Sequence, residues 1–132
     1  MNLDDLDLFK QIDKQNMIRQ INGLPDELQS AWDLAQTLPL PKLDDIHNII
    51  LSAMGASGSA AELIVASVSS SLKLPVSAHR GYGLPAFATD KTLVVCLSHS
   101  GNSEEVLDAF ETALKNGCKI MVISTGGELT KR

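Results

Sequence analysis

From residue 46 onward the chain alternates short unbroken aliphatic runs with longer stretches whose apolar residues recur at helical spacing. The first run, residues 46–54, centres on Ile49, Ile50 and Leu51. The run at 92–97 reads Thr-Leu-Val-Val-Cys-Leu, and residues 75–79 and 119–124 are shorter versions. Between them, residues 59–72 place Ala60, Leu63, Ile64 and Val68 on one helical face, and Ser59 and Glu62 have the spacing of a capping box. Residues 104–116 turn Val106, Leu107, Phe110, Ala113 and Leu114 inward, with Gly117 as the stop. Residues 81–87 read as a loop with room for one helical turn. Continuous aliphatic strands flanked by amphipathic helices predict a parallel sheet covered on both faces, an α/β doubly wound domain. Four strands are visible where such a domain usually has five or more, so the sheet is expected to be incomplete. Lys131-Arg132 arrive where a next helix would start, the pattern of a fragment.

Upstream the pattern is purely helical. Leu3, Leu6, Phe9 and Ile12 recur every third residue, and Met17, Ile18 and Ile21 extend that face. Asn22-Gly23 is a stop signal. Pro25, followed by Asp26 and Glu27, suits the first turn of a second helix carrying Leu28, Ala31, Trp32, Ala35 and Leu38. Pro39-Leu40-Pro41 ends it as a stiff linker. The expected organisation is a helical segment and linker over residues 1–41 and an α/β domain over 42–132. The helices either cover one side of that domain or serve as an arm on a neighbour.

Composition narrows the function classes. The 132 residues suffice for one domain with a real core; hydrophobic residues are 44% and aromatics only 4%, so that core is aliphatic. A formal net charge of -5 with no Lys/Arg stripe argues against a nucleic-acid partner, though not against a small anion in a local pocket. Cys96 and Cys118 both fall in apolar runs and read as buried free thiols in a reducing compartment. No signal peptide and no run of ~18 apolar residues is present, so no membrane partner is expected and the cytoplasm is the default.

Ligands of open parallel sheets bind beyond the carboxyl ends of the strands. That rule singles out the loops at 55–58, 98–103 and 124–127, all rich in glycine and small hydroxyl residues. In Ser98-His99-Ser100-Gly101-Asn102-Ser103 a buried strand hands over to a helix start, whose unpaired N–H groups and partial positive charge accept an anion. Ser98, Ser100 and Ser103 add hydroxyl donors, Asn102 an amide, and Gly101 a backbone that can approach a ligand closely. Ser57 sits in a second turn, between Gly55 and Gly58, at the same sheet edge. Together these predict a phosphate-monoester cradle; in the plainer alternative Ser103 merely caps its helix. Gly55-Ala56-Ser57-Gly58 lacks the dinucleotide-binding spacing, and no P-loop or nucleophile elbow occurs. His47, His79 and His99 have no zinc-ligand spacing, and no metal or cofactor is expected. His47 reads as a core or strand-edge residue; His99 faces either a ligand or solvent.

The segment Ser98-x-Ser100-Gly101-x-Ser103-x-Glu105 resembles the S-x-S-G-x-[ST]-x-[DE] signature of SIS (sugar isomerase) domains, and Met54-Gly55-Ala56-Ser57-Gly58 resembles their first-strand loop. Within that group the chain is most similar to bifunctional phosphoglucose/phosphomannose isomerases, on Met54 to Leu63, on Arg80-Gly81-Tyr82-Gly83-Leu84-Pro85, on Ile123 to Leu129 and on Asn22-Gly23-Leu24-Pro25. The resemblance implies a flavodoxin-like three-layer αβα fold. It further implies that Ser57, Ser98, Ser100 and Ser103 hold the phosphate of a hexose phosphate while Gly55, Gly58, Gly101 and Asn102 shape the cradle. A homodimer formed through SIS domains is also implied. The family often has glycine at Ala53 and Ala56, an aromatic at His99 and threonine at Ser103, and Ala56 is expected to crowd the first loop slightly. Family members interconvert glucose 6-phosphate or mannose 6-phosphate with fructose 6-phosphate through a carboxylate base and a ring-opening histidine or lysine. Those residues come from a second SIS domain, and no position up to Arg132 matches them. Glu104 and Glu105 begin a helix whose dipole favours their ionised form and lowers their basicity. The chain alone is therefore expected to bind without turnover and to carry no catalytic residue. A sugar-phosphate-sensing SIS module and another sugar-phosphate isomerase of the same fold remain as alternatives; sensing modules normally carry a basic helix-turn-helix ahead of the domain, which residues 1–38 do not supply.

Overall fold

The computed structural model describes residues 6–40 and 43–132. Leu3 and Pro41, used in the helical reading above, lie outside the described residues. The chain divides into two units, Met1–Lys42 and Leu43–Arg132.

The first unit holds α1 (Leu6–Ile12) and α2 (Met17–Thr37). The break between them falls at residues 13–16 and not at Asn22-Gly23, as the stop signal suggested. Asn16 adopts the left-handed conformation (φ 55°), which asparagine tolerates. The Asp13 carboxylate then accepts the Met17 and Ile18 amides at 2.7 and 2.8 Å, satisfying first-turn donors that a helix leaves open. These same two bonds hold the Asp13 carboxyl below the usual carboxylate range. Once started there, α2 runs through Gly23 and Pro25, although Pro25 has no N–H to give the preceding turn. It ends where expected: Leu38, which precedes Pro39, is extended (ψ 131°).

The second unit is a four-stranded parallel sheet in the order β2-β1-β3-β4, built from β1 (Asn48–Ala53), β2 (Val76–His79), β3 (Thr92–Leu97) and β4 (Lys119–Ile123). Successive residues of a strand point to opposite faces. Leu51, Ala53, Leu93 and Val95 pack with Ala61 and Val65 of α3 (Gly55–Val68), whereas Val94 and Cys96 pack with Val106, Phe110 and Ala113 of α4 (Glu104–Lys115). Helices on both faces explain why β1 and β3 are apolar without alternation. The doubly wound architecture follows as predicted.

α4 ends as its sequence indicates. Gly117 (φ 69°) donates to the Leu114 carbonyl and Cys118 to the Ala113 carbonyl, the paired bonds of a Schellman motif. Several local expectations fail, among them the α3 face predicted to be inward: Ala60, Leu63 and Ile64 are exposed, and Gly58 and Ala61 are the buried residues. α3 starts at Gly55, so Ser59 lies inside the helix and forms no capping box with Glu62; the N-cap position is Met54. Residues 81–87 contain no helical turn. Gly83 N donates to the Asp108 carboxylate at 2.5 Å and Tyr82 Oη to Glu104 at 3.2 Å, so the loop is tied to α4, and a single turn closes its end where Ala88 N donates to the Pro85 carbonyl at 2.9 Å. His47 precedes β1, is exposed, and pairs with Asp45 at 3.2 Å; it is not a core histidine.

Candidate functional site

The strand order supplies what periodicity could not. From β1 the chain moves outward to β2, and from β3 it moves the other way to β4. The strand order therefore reverses between β1 and β3, the crevice where open parallel α/β sheets take their ligands. The loops that leave these two strands are the two serine loops.

Leaving β1, the chain turns at Gly55 (φ 54°) directly into α3, so Ala56, Ser57 and Gly58 form its first turn. Ala56 is exposed there. Gly58 is buried, and the room left by its missing side chain is taken by the Arg80 guanidinium.

Leaving β3, the chain forms a loop closed by its own hydroxyls. Ser98 is buried; its Oγ accepts the Gly101 amide at 3.1 Å and shares a hydrogen with Ser103 Oγ at 3.1 Å. Ser103 occupies the N-cap of α4, yet its side chain makes no capping bond. Its hydroxyl is spent on Ser98, and since only one of the two can donate to the other, the second hydrogen stays available to a ligand. Ser100 Oγ accepts the Asn102 amide at 3.3 Å. Ahead of them the first-turn amides of α4 face outward from a helix start.

The segment after β4 clasps this loop. Thr125 donates to the His99 carbonyl through both N (3.2 Å) and Oγ1 (2.6 Å). Asn102 Oδ1 accepts the Glu128 amide at 3.0 Å, and the Gly101 carbonyl accepts the Leu129 amide at 3.1 Å. A side chain at Gly101 would run into the Gly126 carbonyl. The space at Gly101 thus admits a neighbouring loop, and the Asn102 oxygen ties the two loops together.

Ser57, Ser98, His99, Ser124 and Thr125 line a depression of about 320 Å³ whose other wall is Ala60, Ile64, Leu97 and Ile123. Ser100, Gly101, Asn102 and Ser103 are not part of that lining and adjoin it through Ser98. His99 lines the depression while remaining exposed to solvent. The register of β4 beside β3, Leu97 opposite Ile123, brings Ser124 and Thr125 of the third candidate loop into this lining. Nearby, Tyr82 has its hydroxyl pKa raised by its bond to Glu104 and by the surrounding carboxylates. Among the described residues no group of three or more His, Cys, Asp or Glu could hold a metal, and no helix is long and apolar enough to cross a membrane.

Known proteins agree with this geometry. The model of the SIS domain family matches residues 42–128. The bifunctional phosphoglucose/phosphomannose isomerase of Caldicellulosiruptor bescii is 36% identical over 86% of this chain and 34% of its own length. Those of Thermoplasma acidophilum and Aquifex aeolicus are each 37% identical, over 80% and 79% of this chain and 33% and 32% of their own lengths. The chain spans about a third of the length of these curated relatives. Among solved structures, the tagatose-6-phosphate ketose/aldose isomerase of Escherichia coli superimposes with a TM-score of 0.51 at 21% identity, over 86% of this chain and 32% of that one. A Listeria monocytogenes protein described as a sugar-phosphate isomerase does so with a TM-score of 0.58 at 17% identity, over 96% and 68%. A switch in strand order flanked by two serine loops, joined to a family match over residues 42–128, leads to one conclusion: this chain belongs to the SIS domain family.

Proposed function

We propose that residues 42–132 form an SIS domain that holds the phosphate of a hexose 6-phosphate, as one part of a phosphoglucose/phosphomannose isomerase. The observation that carries this reading is the convergence of Ser57 and Ser98, from two neighbouring strand ends, on one depression beside a helix start. A phosphate dianion needs several directed donors and no counter-charge when the donors are fixed before it arrives. Ser98, Ser103 and Ser100 are fixed by bonds within their own loop. The aliphatic wall of Ile64, Leu97 and Ile123 then suits the carbon face of a sugar better than a second anion. The relatives named above as phosphoglucose/phosphomannose isomerases support the glucose, mannose and fructose 6-phosphates as ligands.

The chain alone binds without turning over. Aldose–ketose isomerisation needs a base near neutrality to move a proton between C1 and C2. Glu104 and Glu105 begin α4, and Glu104 also accepts the Tyr82 hydroxyl, so both serve the helix start and neither is assigned as that base. Assembly as a homodimer through SIS domains would cover apolar groups such as Leu63 (71% exposed) and Leu114 (54% exposed), in a cytoplasmic enzyme with neither nucleic acid nor membrane as partner.

Calorimetric titration of the three hexose 6-phosphates tests the reading. Wild type is expected to bind, and Ser100→Ala/Ser103→Ala to lose about tenfold or more in affinity, as loss of hydrogen bonds to a charged group implies. Unchanged affinity in the double variant would end the phosphate assignment.

A further inference from the structure

One residue beyond β2, Arg80 lays its guanidinium across the first turn of α3. Nη2 donates to the Gly55 carbonyl at 3.2 Å and to Ser59 Oγ at 3.0 Å, while Nε lies 3.2 Å from Glu62 Oε1. Between these partners it passes over Gly58. A Cβ on Gly58 would stand 2.6 Å from Nε and 2.8 Å from Nη2, closer than real side-chain carbons come. The bare glycine therefore serves an arginine approach. Ser57 stands between the two residues that Nη2 grips, and it lines the depression. The N-cap of this turn is Met54, without a side-chain capping bond, and the other side-chain bond on the turn is the longer one from Ser59 Oγ to the Gly55 carbonyl, 3.5 Å.

The arrangement does little for overall stability. Both partners of the Arg80–Glu62 pair are substantially exposed, at 39% and 56%, and exposed ion pairs contribute little. What it supplies is orientation. A planar fork can grip a carbonyl, a hydroxyl and a carboxylate at once; a lysine ammonium cannot match that geometry.

We propose that Arg80 is the positioning residue of the sugar-phosphate site: gripping the Gly55 carbonyl and the Ser59 hydroxyl across Gly58, it keeps the Ser57 hydroxyl aimed into the depression. The proposal rests on the phosphate reading above. Arg80 acts through Ser57 and makes no contact with the ligand.

The test is a cycle of Arg80→Ala, Gly58→Ala and the double variant, with Arg80→Lys and Ser100→Ala alongside, titrated with glucose 6-phosphate. Arg80→Ala is expected to weaken binding about tenfold, with a melting temperature within about 2 °C of wild type, because an exposed side chain away from the core is removed. Gly58→Ala, which leaves Arg80 present but displaced, is expected to weaken binding by a similar factor. The double variant is expected to be no weaker than either single one, since both remove the same contact. Arg80→Lys keeps the charge and is expected to recover less than half of the loss on a logarithmic scale. Wild-type affinity in Arg80→Ala, full rescue by lysine, or additive losses in the double variant would each overturn the proposal. Loss in Ser100→Ala beside wild-type affinity in Arg80→Ala would refute the role of Arg80 and leave the phosphate reading standing. A wild-type chain that binds no glucose 6-phosphate would remove both, and the wild-type isotherm tells that case apart.

Discussion

The two serine loops leave neighbouring strands, turn on a left-handed glycine and lead into a helix, yet they are held in different ways. The loop after β1 is the first turn of α3 itself, and its fixture comes from outside, from Arg80 at the end of β2. The loop after β3 is stitched by its own hydroxyls and clasped by residues 125–129. Nothing lies within 4 Å of where a side chain on Gly55 would be, whereas one on Gly101 would meet the backbone of residue 126. The first loop thus depends on one side chain, and the second on close backbone contact. Evolution can retune the former by single substitutions; the latter has little room to move.

Gly101→Ala should give the largest effect. It combines a positive φ (68°) with a collision against a carbonyl that belongs to a second loop. A loss of roughly 3 kcal/mol in urea unfolding and complete loss of hexose-phosphate binding are expected. Cys96, two residues before Ser98 and fully buried, reports the same event. Burial pushes its thiol pKa up from 9.0 to about 12. The folded chain thus keeps a proton that the unfolded chain gives up above pH 9, so this contribution to stability is intact below pH 9 and fades as the pH climbs toward 12. At pH 8 a thiol reagent should leave Cys96 untouched in wild type and reach it faster in Gly101→Ala, where open molecules are commoner.

Gly55→Ala probes the same backbone device without the collision. Its φ is 54° and its surroundings are open, so only the left-handed strain remains, about 1–2 kcal/mol. Equal losses in Gly55→Ala and Gly101→Ala, by matched urea titrations, would break the contrast between the loops.

Both loops were visible in the sequence because their signals are local: a strand with no polar alternation, then glycine and serine, then a helical period. β3 was bounded to the residue for the same reason, since nothing in Thr92–Leu97 competes with a buried strand. The clasp was not visible. Thr125 reaches His99 across 26 positions, and Arg80 reaches Ser59 across 21, through a strand order that no periodicity encodes. The start of α3 was misplaced because Ser59-x-x-Glu62 imitates a capping box, while the actual start rests on the backbone of Gly55, which has no side chain to announce it. In the helical unit, Asn22-Gly23 looked like the stronger stop. The side chain that decides the break is Asp13, four and five residues before the amides it accepts on.

The smallest effect expected is that of Thr125→Val. Valine keeps the shape and removes only Oγ1, so the His99 carbonyl loses its 2.6 Å partner but retains the Thr125 amide at 3.2 Å. The carbonyl stays near solvent, because His99 is exposed, and no buried acceptor is stranded. The net value of one such bond is about 0.5–1 kcal/mol. A small fall in the urea midpoint with an unchanged slope is therefore expected, with hexose-phosphate affinity down about two- to threefold. If Thr125→Val cost as much as Gly55→Ala, the clasp would depend on a single hydroxyl, and the second loop would be as reliant on one side chain as the first is on Arg80.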